Sequence, residues 1–330
     1  MIELHCHLDG SLSEGTIKHL CALNHKEDID LSKVKLRADK SVKSLNDYLK
    51  CFEFPLSLLQ TAESLTYASY SLFKELHEQG ILYAEVRFAP QQHTSQGLSQ
   101  EQAVMAAISG LEIAKKETGI AGQLILCCMR GENTHGQNME TIGIASSFLG
   151  KGVCGIDLAG AEALYPNDLY SNEFRKALDL DLPFTCHAGE ALGAPSVWEA
   201  VKMGARRIGH GIHCSSDSQL LAFLAETKIG LEVCPTSEVD TCSIPSYEDC
   251  PIPLFLKKNI LFTLATDDMT ISSITLKEEY RKASKTFALG EKERKTLYLN
   301  AVEMAFLSNE KKDFLRDLII KKLQNPADEF

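Results

Sequence analysis

Four short stretches of the chain carry the residue types that hydrolytic metal chemistry needs. They are His5-Cys6-His7-Leu8-Asp9-Gly10, His187-Ala188-Gly189-Glu190, Gly209-His210-Gly211 and Thr266-Asp267-Asp268. Alternate side chains of a strand point the same way, so His5 and His7 can offer both rings to one metal ion. Each piece alone is weak. His-x-His is equally a pair of polar residues on a solvated strand face. A lone His187 or His210 is more often a hydrogen-bonded core histidine, and Asp267-Asp268 is more often a loop or a helix cap. The ordered set is harder to dismiss, because four of the ten histidines fall in these stretches. Three imidazoles and one carboxylate suit zinc with a position left for water, which assigns His5, His7, His187 and Asp267 as ligands. A Lewis acid of this kind lowers the pKa of water to about 7. His210 is then free to accept the water proton, and Glu190, on the same loop as His187, to give a proton to the substrate.

Such residues act together only if a scaffold lines them up. A short apolar run followed by a helical pattern recurs along the chain. The runs are Ile2–Leu8, Ile81–Phe88, Gln123–Met129, Val153–Leu158, Leu182–His187, Arg207–His210, Ile229–Val233 and Ile260–Ala265. Most lack strict polar alternation, as strands buried on both faces of a parallel sheet do. Arg207–His210 is the weakest of them by propensity. Glu101–Thr118 and Ala191–Met203 carry apolar residues at helical spacing. Residues 24–79 are too many for one crossover and predict extra helices over one end. Leu276–Leu289, Glu291–Ser308 and Glu310–Leu323 read as closing helices. The alternation predicts an α/β fold, a (β/α)8 TIM barrel with extra helices over the active-site end, with an open doubly wound sheet as the alternative. In a barrel, functional residues collect at the carboxyl ends of strands, and the four motifs end the first, fifth, sixth and eighth runs.

Residues 1–330 fit a single barrel domain, and 44% hydrophobic with 24% charged residues describe an ordinary globular chain. The formal net charge of −11 speaks against nucleic acid and anionic lipid as partners. No run approaches the ~20 apolar residues of a membrane span, and the N-terminus does not read as a signal peptide, so a cytoplasmic protein is expected. The 11 cysteines form no Cys-x-x-Cys pair. They are expected to be buried free thiols in a reducing compartment.

The motifs HCHLDGS (His5–Ser11), YAEVRFAP (Tyr83–Pro90), CCMR (Cys127–Arg130), GIDLAG (Gly155–Gly160), HAGE (His187–Glu190), IGHGIH (Ile208–His213), CPTS (Cys234–Ser237) and TDD (Thr266–Asp268) occur in this order. With them the chain resembles the adenosine deaminase family of the amidohydrolase superfamily over essentially its whole length. The resemblance implies one zinc per chain, on His5, His7, His187 and Asp267. It implies that Glu190 protonates purine N1, that His210 activates the water, and that Asp268 is the partner of N7. It also implies that the Gly160 N–H donates to N3, and that His7 and Asp9 contact the substrate, Asp9 at the ribose 5′-hydroxyl. The implied reaction is hydrolytic deamination of adenosine and 2′-deoxyadenosine to inosine-type products and ammonia, on a small-molecule purine nucleoside. Glu190 then has to bind as a carboxylic acid, which burial favours. Leu45, Tyr48, Leu49, Phe52, Phe54, Leu56 and Leu59 resemble the family's apolar gate, and each taken singly reads better as part of an ordinary helix core face interrupted at Pro55.

Four positions depart from the family pattern: Ala265 for Asn before TDD, Met269 for Pro after it, Glu238 for Asn after CPTS, and Ala161 for Asp after LAG. None removes a ligand, acid or base. All four are expected near the pocket rim, and Glu238 as a surface charge, since unpaired buried carboxylates are rare. The nearest rival activity is deamination of adenine or of a 5′-altered nucleoside; base-specific relatives tend to carry Glu in place of Asp9. A two-metal hydrolase would need a bridging ligand such as a carboxylated lysine, and Val153–Gly160 has no lysine. A non-catalytic nucleoside-binding protein is the rival from another class. The missing Cys-x-x-Cys excludes a cytidine-deaminase-type fold.

Overall fold

The computed structural model describes residues 1–324. Every apolar run of the sequence forms a strand: β1 (Ile2–His7), β2 (Tyr83–Phe88), β3 (Ala121–Met129), β4 (Val153–Ala159), β5 (Thr185–Ala188), β6 (Arg207–His210), β7 (Gly230–Val233) and β8 (Phe262–Leu264). Neighbours pair in parallel from β1 to β4 and from β5 to β8. Two seams close the ring. Ile156 N–H donates to the Pro183 carbonyl at 3.1 Å, joining β4 to the approach of β5. Beyond β8, His7 N–H donates to Asp267 O and Asp267 N–H donates to His5 O, both at 2.8 Å. The sheet is a closed barrel, and the open doubly wound alternative falls.

Helices wrap the strands. Gln100–Thr118 shows why they begin and end where they do: Ser99 and Gln102 form a reciprocal capping box, and Gly119 ends the helix at φ 79°. The long segment before β2 supplies the extra cover as Leu45–Tyr48, a 3₁₀ turn at Leu49–Phe52, and Glu53–Leu58. Pro55 does not break this run. It lies in the first turn of Glu53–Leu58, where its missing N–H would have had no helical partner. All eleven cysteines are free, ten of them buried and Cys242 exposed. No helix among the described residues is long and apolar enough to cross a membrane.

The barrel interior is charged where most such barrels are filled by branched apolar side chains. Glu3 and His5 of β1, Glu85 and Arg87 of β2, Asp157 of β4, His187 of β5, Arg207 of β6 and Glu232 of β7 are all buried. They pair with one another. Arg207 Nε reaches Glu232 Oε1 at 2.6 Å, and Arg87 bridges Glu232 Oε2 at 2.7 Å to Asp157 Oδ2 at 3.0 Å. This pairing lets β6 exist despite its poor propensity: Arg207 is held inside by carboxylates of two other strands, Glu85 and Glu232.

Candidate active site

At the carboxyl end of the barrel the ligand-capable atoms of His5, His7, His187 and Asp267 lie within 4.8 Å of one another; His5, His187 and Asp267 are buried and His7 nearly so. His5 Nε2 is 3.1 Å and His7 Nε2 3.3 Å from Asp267 Oδ1, and His7 Nε2 is 3.3 Å from His187 Nε2. The opposite ring nitrogens are engaged: His5 Nδ1 with Glu232 Oε2 at 2.8 Å, His187 Nδ1 with Asp157 Oδ2 at 2.9 Å. Those carboxylates need the Nδ1 protons, so each ring turns an Nε2 lone pair inward. Burial holds His7 and His187 below the usual imidazole range, in the neutral form that a metal ligand requires. His5 Nε2 is buried with no hydrogen-bond partner among the described residues. Converging lone pairs, one of them orphaned, beside a carboxylate are repulsive unless a cation sits among them, so the donor set fits a divalent metal. Ser237 Oγ donates to Asp267 Oδ2 at 2.6 Å and fixes that carboxylate.

The acid and base candidates lie against this cluster. His210 Nε2 is 3.7 Å from Glu190 Oε2 and 4.0 Å from Asp267 Oδ2. Burial raises Glu190 above the ordinary carboxyl range and the nearby Asp267 adds to it, so it favours the protonated form. Burial alone would lower His210, but the carboxylates of Glu190, Glu238 and Asp267 push it up to about 10. A divalent cation at the ligand cluster opposes that pull. Both His210 (φ 60°) and Asp267 (φ 61°) adopt left-handed backbone, strain that the surrounding pairing has to hold.

Asp268 is raised by burial and by the facing charges of Asp267 and Asp9. Tyr48 Oη donates to its Oδ2 at 3.0 Å, which leaves Oδ1 buried and unpartnered. A protonated Asp268 with one free oxygen is a donor for an acceptor nitrogen. Gly10 is forced here: a Cβ on it would stand 1.7 Å from Asp268 Oδ1. A cavity of about 220 Å³ opens beside His7 and Asp9, walled by Leu49, Phe52, Leu56 and Gly160. Asp9 Oδ1 is buried without a partner, and burial pushes the carboxyl up to about 6. Gly160 follows β4 at φ 105°.

The structure brings every expected site residue to this end of the barrel. It corrects three expectations. Glu238 is not a surface charge. It is fully buried, accepts from Cys234 N–H at 3.1 Å, and puts Oε1 3.7 Å from His210 Nδ1. The departures do not share the rim: Ala265 and Met269 are buried and only Ala161 lines the cavity. The gate residues divide. Leu49, Phe52 and Leu56 wall the cavity, Tyr48 serves Asp268, and Leu59 and Phe54 belong to the core.

Sequence reasoning missed the residues that hold the site residues in place. Asp157 and Glu232 orient the His187 and His5 rings, and Arg87 locks both carboxylates. Glu162 accepts from the backbone N–H groups of Gly189, Glu190, Ala191 and Leu192 and from Ser196 Oγ, so one buried carboxylate clamps the loop that carries Glu190. Burial opposes its ionisation, yet the Ser196 hydroxyl, Arg130 and those N–H groups hold its pKa below the ordinary range. A signal was present: a charge inside a strand buried on both faces has to be paired.

The adenosine deaminase family model matches residues 1–322. An adenosine deaminase of Haemophilus ducreyi is 41% identical over 326 residues, covering 96% of this chain and 94% of its own. The chain belongs to the adenosine deaminase family. It is an enzyme, a hydrolase acting on a C–N bond of a cyclic amidine, and the His/Asp cluster supports a divalent metal. Among solved structures it is similar to an N6-mAMP deaminase of Arabidopsis, at 27% identity and TM-score 0.87 over 97% of both chains. It also shares its fold with an amidohydrolase of Burkholderia ambifaria solved with bound Zn, at 21% identity and TM-score 0.89, over 99% of this chain and 91% of that one.

Proposed function

We propose that the chain is a zinc-dependent adenosine deaminase that also takes 2′-deoxyadenosine, working as a single catalytic domain over residues 1–330. The observation that carries this reading is the buried set of four converging ligands with Glu190, His210 and Asp268 packed around it. His5, His7, His187 and Asp267 would hold one zinc ion; three nitrogens and one oxygen suit that metal, and the amidohydrolase from Burkholderia carries it. When bound, it supplies Lewis-acid charge that makes water acidic enough to deprotonate near neutral pH.

The chain's own residues do the rest. His210 accepts the proton of the attacking water. Glu190, kept protonated by burial, gives its proton to N1, which weakens ring aromaticity and makes C6 more electrophilic. Protonated Asp268 donates to N7, and the Gly160 N–H to N3. A tetrahedral centre forms at C6; the proton taken up by His210 passes to the amino group, which leaves as ammonia, and the C6 hydroxyl returns a proton to Glu190 as the carbonyl forms. Leu49, Phe52 and Leu56 keep bulk water from the cavity. The partner is a small purine nucleoside; the net charge of −11 disfavours nucleic acid. Ten buried free thiols support a cytoplasmic, reducing setting.

Asp9 separates nucleoside from base. Asp9 lines the cavity and its buried Oδ1 has no partner, so its carboxylate can accept from a ribose 5′-hydroxyl. Ammonia release from adenosine, 2′-deoxyadenosine, 5′-deoxyadenosine and adenine tests this. Asp9→Ala is expected to lower kcat/KM for the two substrates with a 5′-hydroxyl by roughly ten- to a hundredfold and to spare the 5′-deoxy analogue. Equal losses on all three nucleosides would make Asp9 a loop residue and reopen the adenine reading.

A further inference from the structure

The charged column that ends on the metal ligands has a second end. At the amino-terminal face of the barrel, opposite the catalytic mouth, Arg207 is 1% exposed. Its Nε and Nη1 are engaged by Glu232, Glu85 and the Met304 carbonyl, and its guanidinium lies 3.9 Å above the Phe306 ring. Its Nη2 is buried with no hydrogen-bond partner among the described residues. Arg207 borders a cavity of about 450 Å³, large enough for a phosphate and what it is esterified to. Four further cations border the same space, Arg206, Lys228, Lys311 and Lys312, against a single acid, Glu303. Glu303 is drawn off by Arg316 at 3.3 Å. The helix Asn309–Leu323 begins at this cavity, and its N-cap Ser308 makes no side-chain cap bond. Helix amino ends carry partial positive charge and free N–H groups.

Arg207 is balanced by Glu85 and Glu232, but the other four cations face one acid, an unusual concentration in a chain whose net charge is −11. Like charges gathered at one pocket repel, and a buried guanidinium N–H without an acceptor costs free energy. An anion relieves both. A planar donor fork, flexible ammonium groups and a helix amino end together match the tetrahedral oxygens of phosphate. We propose that this cavity is a phosphate-binding site, separate from the catalytic pocket, that takes inorganic phosphate or the phosphate group of a small phosphorylated metabolite. It depends on no assumption about the deaminase reaction.

The test is titration calorimetry of the full chain at fixed ionic strength, with inorganic phosphate and, separately, ribose 5-phosphate, which has no base for the catalytic pocket to recognise. Arg207 is too deeply paired to replace safely, so the site is probed through the exposed cations, as Arg206→Gln/Lys311→Gln. Lys292→Gln/Lys295→Gln, two exposed lysines elsewhere, makes the same change in net charge. The expected result is one phosphate per chain, weakened about tenfold or more by the first pair of changes and less than twofold by the second. If ribose 5-phosphate binds tenfold tighter than phosphate, the site serves a phosphorylated metabolite; similar affinities assign it to free phosphate. No saturable binding in the wild-type chain, or equal weakening by both double variants, would overturn the proposal and leave a general attraction to positive surface.

Discussion

Replacing Glu162 with Gln changes one atom and tests whether the loop carrying Glu190 is held by charge. Oε1 accepts from Gly189 N–H at 2.7 Å and from Ser196 Oγ; Oε2 accepts from the N–H groups of Glu190, Ala191 and Leu192 at 3.1, 2.6 and 3.1 Å. A Gln side chain has to point an NH₂ at one of these two sets. The cheaper choice places it at Gly189 and Ser196, because the hydroxyl can turn to accept and only one N–H is orphaned. That orphan costs about 1.5–3 kcal/mol, and the three remaining bonds weaken as their acceptor loses its charge. Relief from burying a carboxylate offsets part of this. A net loss of about 3 kcal/mol follows, close to a hundredfold in kcat/KM if it falls on the position of Glu190. If instead the loop keeps its place at the expense of stability, Tm drops by roughly 5 °C or more. The assays are ammonia release, melting temperature and zinc content, the last expected to stay constant. A variant within threefold of wild type in kcat/KM and unchanged in Tm would refute the clamp.

Glu190→Gln keeps the shape of the side chain but cannot protonate N1, and kcat is expected to fall about 10²–10⁴-fold with metal content unchanged; near-normal turnover would remove Glu190 from the acid role. Glu238→Asn removes a carboxylate 3.7 Å behind His210 without touching the cavity wall. It should alter kcat and move the limb of the pH profile governed by His210 to lower pH, since one of the charges that raises its pKa is gone. Ratios of kcat/KM among nucleosides should hold; a tenfold change in those ratios would place Glu238 in the substrate pocket. His93 is buried, with Nδ1 2.9 Å from the Leu59 carbonyl and Nε2 unpartnered, and burial lowers its pKa from 6.5 to about 4. The folded chain holds it neutral, so its contribution is complete above pH 6.5. It is lost as pH falls toward 4, by about 3 kcal/mol in all. His93→Gln should flatten the acid side of a Tm-against-pH series, and an unchanged slope would show that the acid sensitivity lies elsewhere.

The glutamate after CPTS shows where sequence reasoning reaches its limit. Buried carboxylates without partners are rare, and no basic side chain near Glu238 in sequence marks one. Its partners are His210 at the end of the neighbouring strand β6, the thiol of Cys250, and the N–H of Cys234 one helical turn back. The same holds for Glu162, whose hydrogen-bond donors begin twenty-seven residues later and are mostly backbone, which carries no sequence mark.

The sequence by itself determined the alternation of strand and helix, the carboxyl-end placement of the histidines and acids, and which three histidines and one aspartate come together. Each depends on periodicity or on residue chemistry at short range: His5 and His7 share a face because strands alternate. Only the tertiary structure decided closure of the ring, the tautomers of the ligand imidazoles and the protonation of Glu190 and Asp268. Those follow from what stands within a few ångströms after folding. Glu232 meets His5 across 227 residues of chain, and Tyr48 meets Asp268 across 220. Burial and such distant charges set which atoms hold protons, and no spacing along the chain encodes them.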